Sequence, residues 1–171
     1  MKLLREGSMG DEQESFPEAI PAPCFPGMHF TYREFFFNTP EYESALRLRE
    51  DILRKPLKIA WGEDAFGGDA DCFHLGCFNQ EKMIGTLLLK PVDKVTLKMR
   101  QVAVALNCQR QGIGTGLVYF AEEFAREKTY QVMMSHAREA ALPFYIRLGY
   151  QVVGEKFTEV TLPHYKIFKM L

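Results

Sequence analysis

The sequence predicts a three-layer α/β (α+β) domain with a mixed, mostly antiparallel sheet, and three observations carry that prediction. Between Cys72 and Ala105 lie three runs of strand-forming residues with short polar connections, the pattern of an antiparallel meander. From Ile113 the hydrophobic period changes from two to between three and four, as strand gives way to helix. Helical and strand-like segments then alternate to the end of the chain, so helices must cover the sheet.

Residues 1–28 hold Pro17, Pro21, Pro23 and Pro26 among acidic and small residues without a period. They read as an extended Pro-rich arm, part of which a cloning vector could supply, followed by a single domain over 29–171. Phe30 to Phe37 follows strand preferences. Thr39 then caps a helix that has Pro40 at its first position and carries Tyr42, Ala45, Leu46, Leu48, Ile52 and Leu53 on one side, until Pro56 stops it. Trp61 to Asp71, with Gly62, Gly67 and Gly68, reads as a loop. A hairpin follows (Cys72 to Phe78, turn, Met83 to Leu89), then a strand from about Val95 to Ala105.

Ile113, Leu117, Val118, Phe120, Ala121, Phe124 and Ala125 form the stripe of the next helix, with Glu122, Glu123, Arg126 and Glu127 as its solvated face. After a strand over Gln131 to His136, a helix over Glu139 to Leu148 tolerates Pro143 only near its start, and Gly149 is its stop. Strands at Tyr150 to Phe157 and Tyr165 to Met170 close the chain, which has no internal repeat.

With 21 Lys and Arg against 22 Asp and Glu, no global field draws the chain to nucleic acid or to an anionic membrane. No apolar run approaches the roughly 20 residues of a membrane span, and the first residues lack an apolar signal core, so a soluble, cytoplasmic protein is expected. Cys24, Cys72, Cys77 and Cys108 form no Cys-x-x-Cys pair and no zinc-type spacing, which predicts reduced thiols and no metal. An odd separation puts Cys72 and Cys77 on opposite faces of one strand.

The most informative residues run from Val102 to Leu117, where a strand passes through a glycine-bearing turn into a helix. Free amides and the positive helix end then face one spot that suits a pyrophosphate. Gly112 lets the backbone approach the anion, Gly114 permits close packing of the first helical turn, and Arg110 can add a charge-assisted contact. The absence of a following Gly-Lys-Ser/Thr excludes a Walker loop, and the spacing of Gly112, Gly114 and Gly116 is wrong for a dinucleotide fold. Taken alone, the turn suits plain structure as well as it suits a ligand.

Two motifs together resemble the GCN5-related N-acetyltransferase family. Gln109, Gly112 and Gly114 match its Gln/Arg-x-x-Gly-x-Gly/Ala loop, after a cofactor strand at Val102-Ala103-Val104. Phe144-Tyr145-Ile146-Arg147-Leu148-Gly149-Tyr150 matches its aromatic pair followed by Leu-Gly-Phe/Tyr. The resemblance spans about Phe30 to Leu171. Within the family, Leu48-Arg49, Leu53-Arg54-Lys55-Pro56-Leu57 and Leu162-Pro163-His164 are similar to the bacterial ElaA-like branch.

The resemblance implies a sheet splayed between the strand ending near Ala105 and the strand Gln131 to His136, with acetyl-CoA as cosubstrate in the gap and no metal. Val102, Ala103 and Val104 would hold the pantetheine arm, and amides of Gln109, Arg110, Gln111, Gly112, Ile113, Gly114 and Thr115 the pyrophosphate. An amide near Val102 would polarise the thioester carbonyl. The implied reaction is acetyl transfer to a primary amine of a small molecule or peptide by direct attack in a ternary complex. A noncatalytic acyl-CoA binding or sensing module is the alternative.

Direct attack needs a proton removed from nitrogen and a proton supplied to the departing thiolate. The resemblance puts the Tyr145 hydroxyl near the coenzyme sulfur as the donor. Some family members carry a glutamate on the cofactor strand, but here that stretch reads Lys98-Met99-Arg100-Gln101. That departure leaves a water relay or another residue as the base, and His136, at the end of a strand bordering the cleft, is the candidate residue, ahead of Glu139, His74, Glu159 and His164. Cys108 lies beside the loop, yet the local sequence supplies nothing to activate a thiol. The acceptor pocket is expected between the first helix, the Trp61 to Asp71 loop and the last strands. Glu63, Asp64, Asp69 and Asp71 make that loop acidic, which would suit a cationic amine or be plain solvation, whereas Arg47, Arg49, Arg54 and Lys55 fit a solvated helix face as well as they fit an acidic substrate. The sequence leaves a homodimer open.

Overall fold

Seven strands, β1 (Phe30–Phe35), β2 (Phe73–Asn79), β3 (Lys82–Pro91), β4 (Thr96–Val104), β5 (Val132–Arg138), β6 (Gln151–Glu159) and β7 (Leu162–Met170), form one sheet in the order β1-β2-β3-β4-β5-β7-β6. This computed structural model describes residues 30–58 and 68–171. The expected arm over 1–28, the domain start at His29 and residues 61–67 of the expected Trp61 to Asp71 loop lie outside the described residues. Neighbouring strands pair antiparallel except β4 and β5, which are parallel and are joined by helix α2 (Ile113–Glu127). The expected mixed, mostly antiparallel sheet is what forms.

Alternating side chains send the sheet's two faces to different helices. On one face Leu75, Cys77, Leu87, Leu89, Leu97, Met99 and Met133 join the α2 stripe of Ile113, Leu117, Val118, Ala121, Phe124 and Ala125. Each fully buried Leu or Met contributes about 1.5–3 kcal/mol. On the other face Phe35, Phe78 and Met83 pack on Tyr42 and Ala45 of α1 (Pro40–Arg49). No helix among the described residues is long and apolar enough to cross a membrane.

The entry into α1 is as expected, with Pro40 in the first turn and the Thr39 hydroxyl accepting from the Tyr42 amide at 3.3 Å. Its exit is not. The helix ends at Arg49, a π-helical turn follows over Glu50–Arg54, and a 3₁₀ turn holding Pro56 follows over Lys55–Leu57. The predicted helix over Glu139 to Leu148 also divides, into a 3₁₀ turn at Glu139–Ala141 and α3 (Leu142–Arg147), with Pro143 in the first turn of α3.

Two charged residues read as solvated are buried. Arg49 is wholly inside and bonds Asp69 through Nη1 at 2.9 Å, while the Tyr42 hydroxyl donates to the same Asp69 oxygen at 3.0 Å. Glu122 is buried with Lys169 Nζ 2.7 Å from its carboxylate. Each charge is retained inside because its counter-charge is brought to it. Cys72 precedes β2 rather than lying within it, so only Cys77 is on that strand, where it is buried.

Close packing against the start of α2 falls on a different glycine from the one expected. A Cβ on Gly114 would meet its nearest atom, in the Phe144 ring, at an ordinary 3.7 Å. A Cβ on Gly116 would sit 2.1 Å from the Tyr32 hydroxyl oxygen, so Gly116 is what lets α2 settle on β1.

Candidate active site

β4 and β5 start as a pair and then part. Their parallel register runs from Thr96 against Val132 to Met99 against Ser135 and ends there, although β4 continues to Val104 and β5 to Arg138. The Ser135 hydroxyl donates to the Met99 carbonyl at 2.9 Å on the last rung. Just beyond, Gln101 takes φ +52 and the β3 register shifts between Thr86 and Leu88, a bulge that bends β4 away from β5. The gap is lined by two cavities that share Val102, Ala141 and Tyr145.

The first cavity, of about 520 Å³, is lined by the phosphate-type loop and by Val102, Val104, Phe144 and Tyr145. Gly112 has φ +79 and caps α2 without any side-chain bond, and Arg110 has φ +60. The first amide of the helix to find a partner among the described residues is that of Gly116, on the Gly112 carbonyl at 2.9 Å. Among the described residues the amides of Gln111 through Thr115 have no acceptor, which leaves donors at a positive helix end, the arrangement an anion requires. The Gln109 side chain ties the loop back to the Val104 carbonyl at 3.0 Å, and Gln111 does the same to Asn107 at 3.0 Å.

Among the residues expected at the coenzyme, Val102, Val104, Gln109, Arg110, Gly112, Gly114 and Thr115 line this cavity. Ala103 and Ile113 are buried in the core, and Gln111 does not line the cavity, so these three have only main-chain groups to offer it. Cys108 lines neither cavity, and its Sγ lies 3.5 Å from Asn107 Oδ1.

The second cavity, of about 330 Å³, lies between the π-helical turn, β4, β5 and the β6–β7 hairpin, and includes Leu53, Arg54, Lys98, Arg100, His136, Arg138, Glu159 and His164. His136 Nδ1 donates to Glu159 Oε2 at 2.8 Å, and its ring stands edge-on to Phe157 with centroids 4.9 Å apart. Lys98 Nζ is 3.1 Å from His136 Nδ1 and 3.3 Å from Nε2. Burial pushes the Lys98 ammonium pKa down, helped by the charges of Arg100, Lys166 and Lys90 and opposed by Glu159.

Tyr145 is buried, with its ring edge-on to Phe144 at 5.0 Å and to Tyr150 at 5.6 Å. Burial pushes its phenol up to about 12. Its hydroxyl makes no hydrogen bond among the described residues.

Of the other candidates, Glu159 and His164 reach the cavity, whereas Glu139 faces Lys156 and Tyr165 outside it and His74 lies under α1. Lys98, Arg100 and Arg138 are lining residues that sequence reading did not single out. The signal available for the first two was their alternation on one face of β4. Among the described residues no three His, Cys, Asp or Glu side chains converge as metal ligands would.

A splayed parallel pair, a helix start with free amides and an aromatic pair at the junction define an acyl-CoA transferase of the acetyltransferase type. The model of the acetyltransferase (GNAT) family matches residues 28–150, and the chain belongs to that family. YyaT of Bacillus subtilis (strain 168) is 24% identical over 127 residues, covering 72% of this chain and 85% of that protein. The crystal structure of Escherichia coli ElaA superposes with a TM-score of 0.72 at 15% identity, over 82% of this chain and 99% of ElaA. A GNAT family acetyltransferase from Elizabethkingia anophelis, solved with acetyl-CoA bound, superposes with a TM-score of 0.64 at 19% identity, over 83% and 98%. The structural likeness establishes the fold, and family membership establishes acyl-CoA-dependent acetyl transfer as the general activity.

Proposed function

We propose that the protein is an acetyl-CoA-dependent N-acetyltransferase that modifies a primary amine of a small molecule or peptide by direct attack in a ternary complex. The observation that carries this reading is the junction of the two cavities at Tyr145, with the amide-rich loop on one side and His136 paired to Glu159 on the other. The free amides of Gln111 through Thr115, beside Arg110, suit a pyrophosphate, and Val102, Val104 and Phe144 suit a pantetheine arm.

Bound acetyl-CoA supplies the thioester. His136 directs its Nδ1 proton to Glu159, which leaves Nε2 as the lone pair that takes the amine's proton as the C–N bond forms. Tyr145 keeps its proton at neutral pH because burial disfavours the phenolate, and it releases that proton to the sulfur as the C–S bond breaks. The β4 bulge leaves Gln101 and Val102 without cross-strand partners on β3, which frees backbone at Val102 to face the carbonyl oxygen.

The test is calorimetric titration with acetyl-CoA, followed by thiol release against amino acids, polyamines, aminoglycosides and peptides. Binding together with amine-dependent release is expected. Binding without release for any acceptor would favour the sensing module, and no binding would remove the central claim.

A further inference from the structure

We infer that the acceptor carries an oxyanion beside its amine, a carboxylate or a phosphate, held by Arg100 and Arg138 in the 330 Å³ cavity. The inference rests on reading that cavity as the acceptor side. Among the described residues, Arg54, Lys98, Arg100 and Arg138 line it as cations and Glu159 is its carboxylate. Glu159 is already committed to His136.

Apart from Arg54, which lines the acceptor cavity and has an interaction of its own, the described arginines divide according to where they stand. Arg33, Arg47, Arg49 and Arg126 lie outside both cavities, and each has a carboxylate within 4.0 Å. Arg100 and Arg138 line the acceptor cavity, and Arg110 and Arg147 the coenzyme cavity, and none of these four has a carboxylate partner among the described residues. In the coenzyme cavity that pattern has an evident reason, because phosphates belong there. The same pattern recurs in its neighbour.

Among the described residues the one hydrogen bond of the Arg138 guanidinium goes to a neutral carbonyl, from Nη2 to Leu53 at 3.1 Å, which fixes the planar fork and leaves its other donors open to a ligand. Burial, and then the charge of Arg54, push the Arg138 pKa down, and no carboxylate among the described residues offsets its charge. Partly buried cations without counter-charge are costly unless a ligand supplies it, and a guanidinium fork matches the two oxygens of a carboxylate or phosphate. A polyamine would bring further positive charge into this cavity and be repelled.

Two measurements on the full chain test the inference. The first is equilibrium binding of inorganic phosphate and of acetate by calorimetry, which needs no turnover. Binding of at least one is expected, weakened about tenfold or more in Arg100→Gln and in Arg138→Gln, on the scale of a lost charge-assisted hydrogen bond. The second is thiol release with glycine against glycinamide and with phosphoethanolamine against ethanolamine. The anionic member of at least one pair is expected to have the lower KM, and which pair discriminates separates carboxylate from phosphate. Failure of both anions to bind, or binding unchanged in both variants, overturns the inference. Equal turnover within both pairs, or preference for a polyamine, overturns it while leaving the acetyltransferase reading intact. Anion binding that the variants abolish, without turnover of any amine, supports the oxyanion site and counts against the transferase reading instead.

Discussion

His136 Nδ1 stands 2.8 Å from Glu159 Oε2, a bond that reaches from the free part of β5 across β7 to the last residue of β6. The carboxylate fixes which ring nitrogen carries the proton, so the two residues act as a unit although 23 positions separate them. His136→Ala is expected to lower kcat by about 10²–10⁴-fold, the usual span for loss of a general base. Glu159→Gln should cost less, because the ring remains and an amide oxygen can still accept from Nδ1. Neither change touches the loop at Gln111 to Thr115, so acetyl-CoA affinity measured by calorimetry should stay at the wild-type value. A His136→Ala protein with unchanged kcat would remove His136 from the mechanism.

Tyr145 gives a pH signature as well as a mutational one. Its phenol is pushed up to about 12 by burial, so the acid form persists through the working range. A general acid fails only when it deprotonates, so kcat should show no descending limb from this group between neutrality and pH ~10. Tyr145→Phe should lower kcat with little change in denaturation midpoint, since the hydroxyl makes no hydrogen bond among the described residues. A descending limb below pH 9 that vanishes in Tyr145→Phe would contradict the assigned proton state.

Much of this site was legible in the sequence because it is local. The loop from Gln109 to Thr115 and the pair Phe144-Tyr145 sit at fixed offsets from a strand end and a helix, where turn chemistry and period can be read directly. The residues that were misread all have distant partners. Arg49 and Glu122 occupy helical positions that pattern assigns to solvent, and they are inside because Asp69 and Lys169 arrive from 20 and 47 residues away. The Gln101 bulge exists only relative to β3, and Arg100 and Arg138 meet only because β4 and β5 line one gap.

Gly114 and Gly116 should separate binding from stability. Gly116→Ala forces a methyl to 2.1 Å from the Tyr32 hydroxyl oxygen and should destabilise the fold by about 1–3 kcal/mol, the usual cost of overpacking. That hydroxyl is buried and has only the weak Cys77 thiol as a partner among the described residues, so Tyr32→Phe is expected to be tolerated and to restore part of the loss in the double variant. Gly114→Ala has room at 3.7 Å and should fold normally, yet its methyl projects where the loop lines the 520 Å³ cavity proposed for the coenzyme. Urea denaturation and acetyl-CoA titration of the two variants should therefore rank them in opposite orders.

His74 sets an acid limit on stability. Its Nε2 lies 2.8 Å from the Asp69 carbonyl, where it must be the protonated nitrogen, and Nδ1 is buried with no hydrogen-bond partner among the described residues, in a box formed by Phe35, Phe37 and Tyr42. Burial therefore lowers its pKa below the ordinary 6.5, and Arg49 adds to that, while the Asp69 carbonyl and carboxylate only partly oppose it. With the folded pKa below the unfolded one, the unfolded chain binds more protons in the window just under 6.5, so stability falls as pH drops through it. Denaturation midpoints should be flat above about pH 7 and decline toward pH 5, within the window the imidazole opens. His74→Gln removes the titrating group, so it should be less stable at neutral pH but lose less on acidification than wild type. If both proteins lost the same stability between pH 7 and pH 5, the decline would belong to other groups and His74 would carry no part of it.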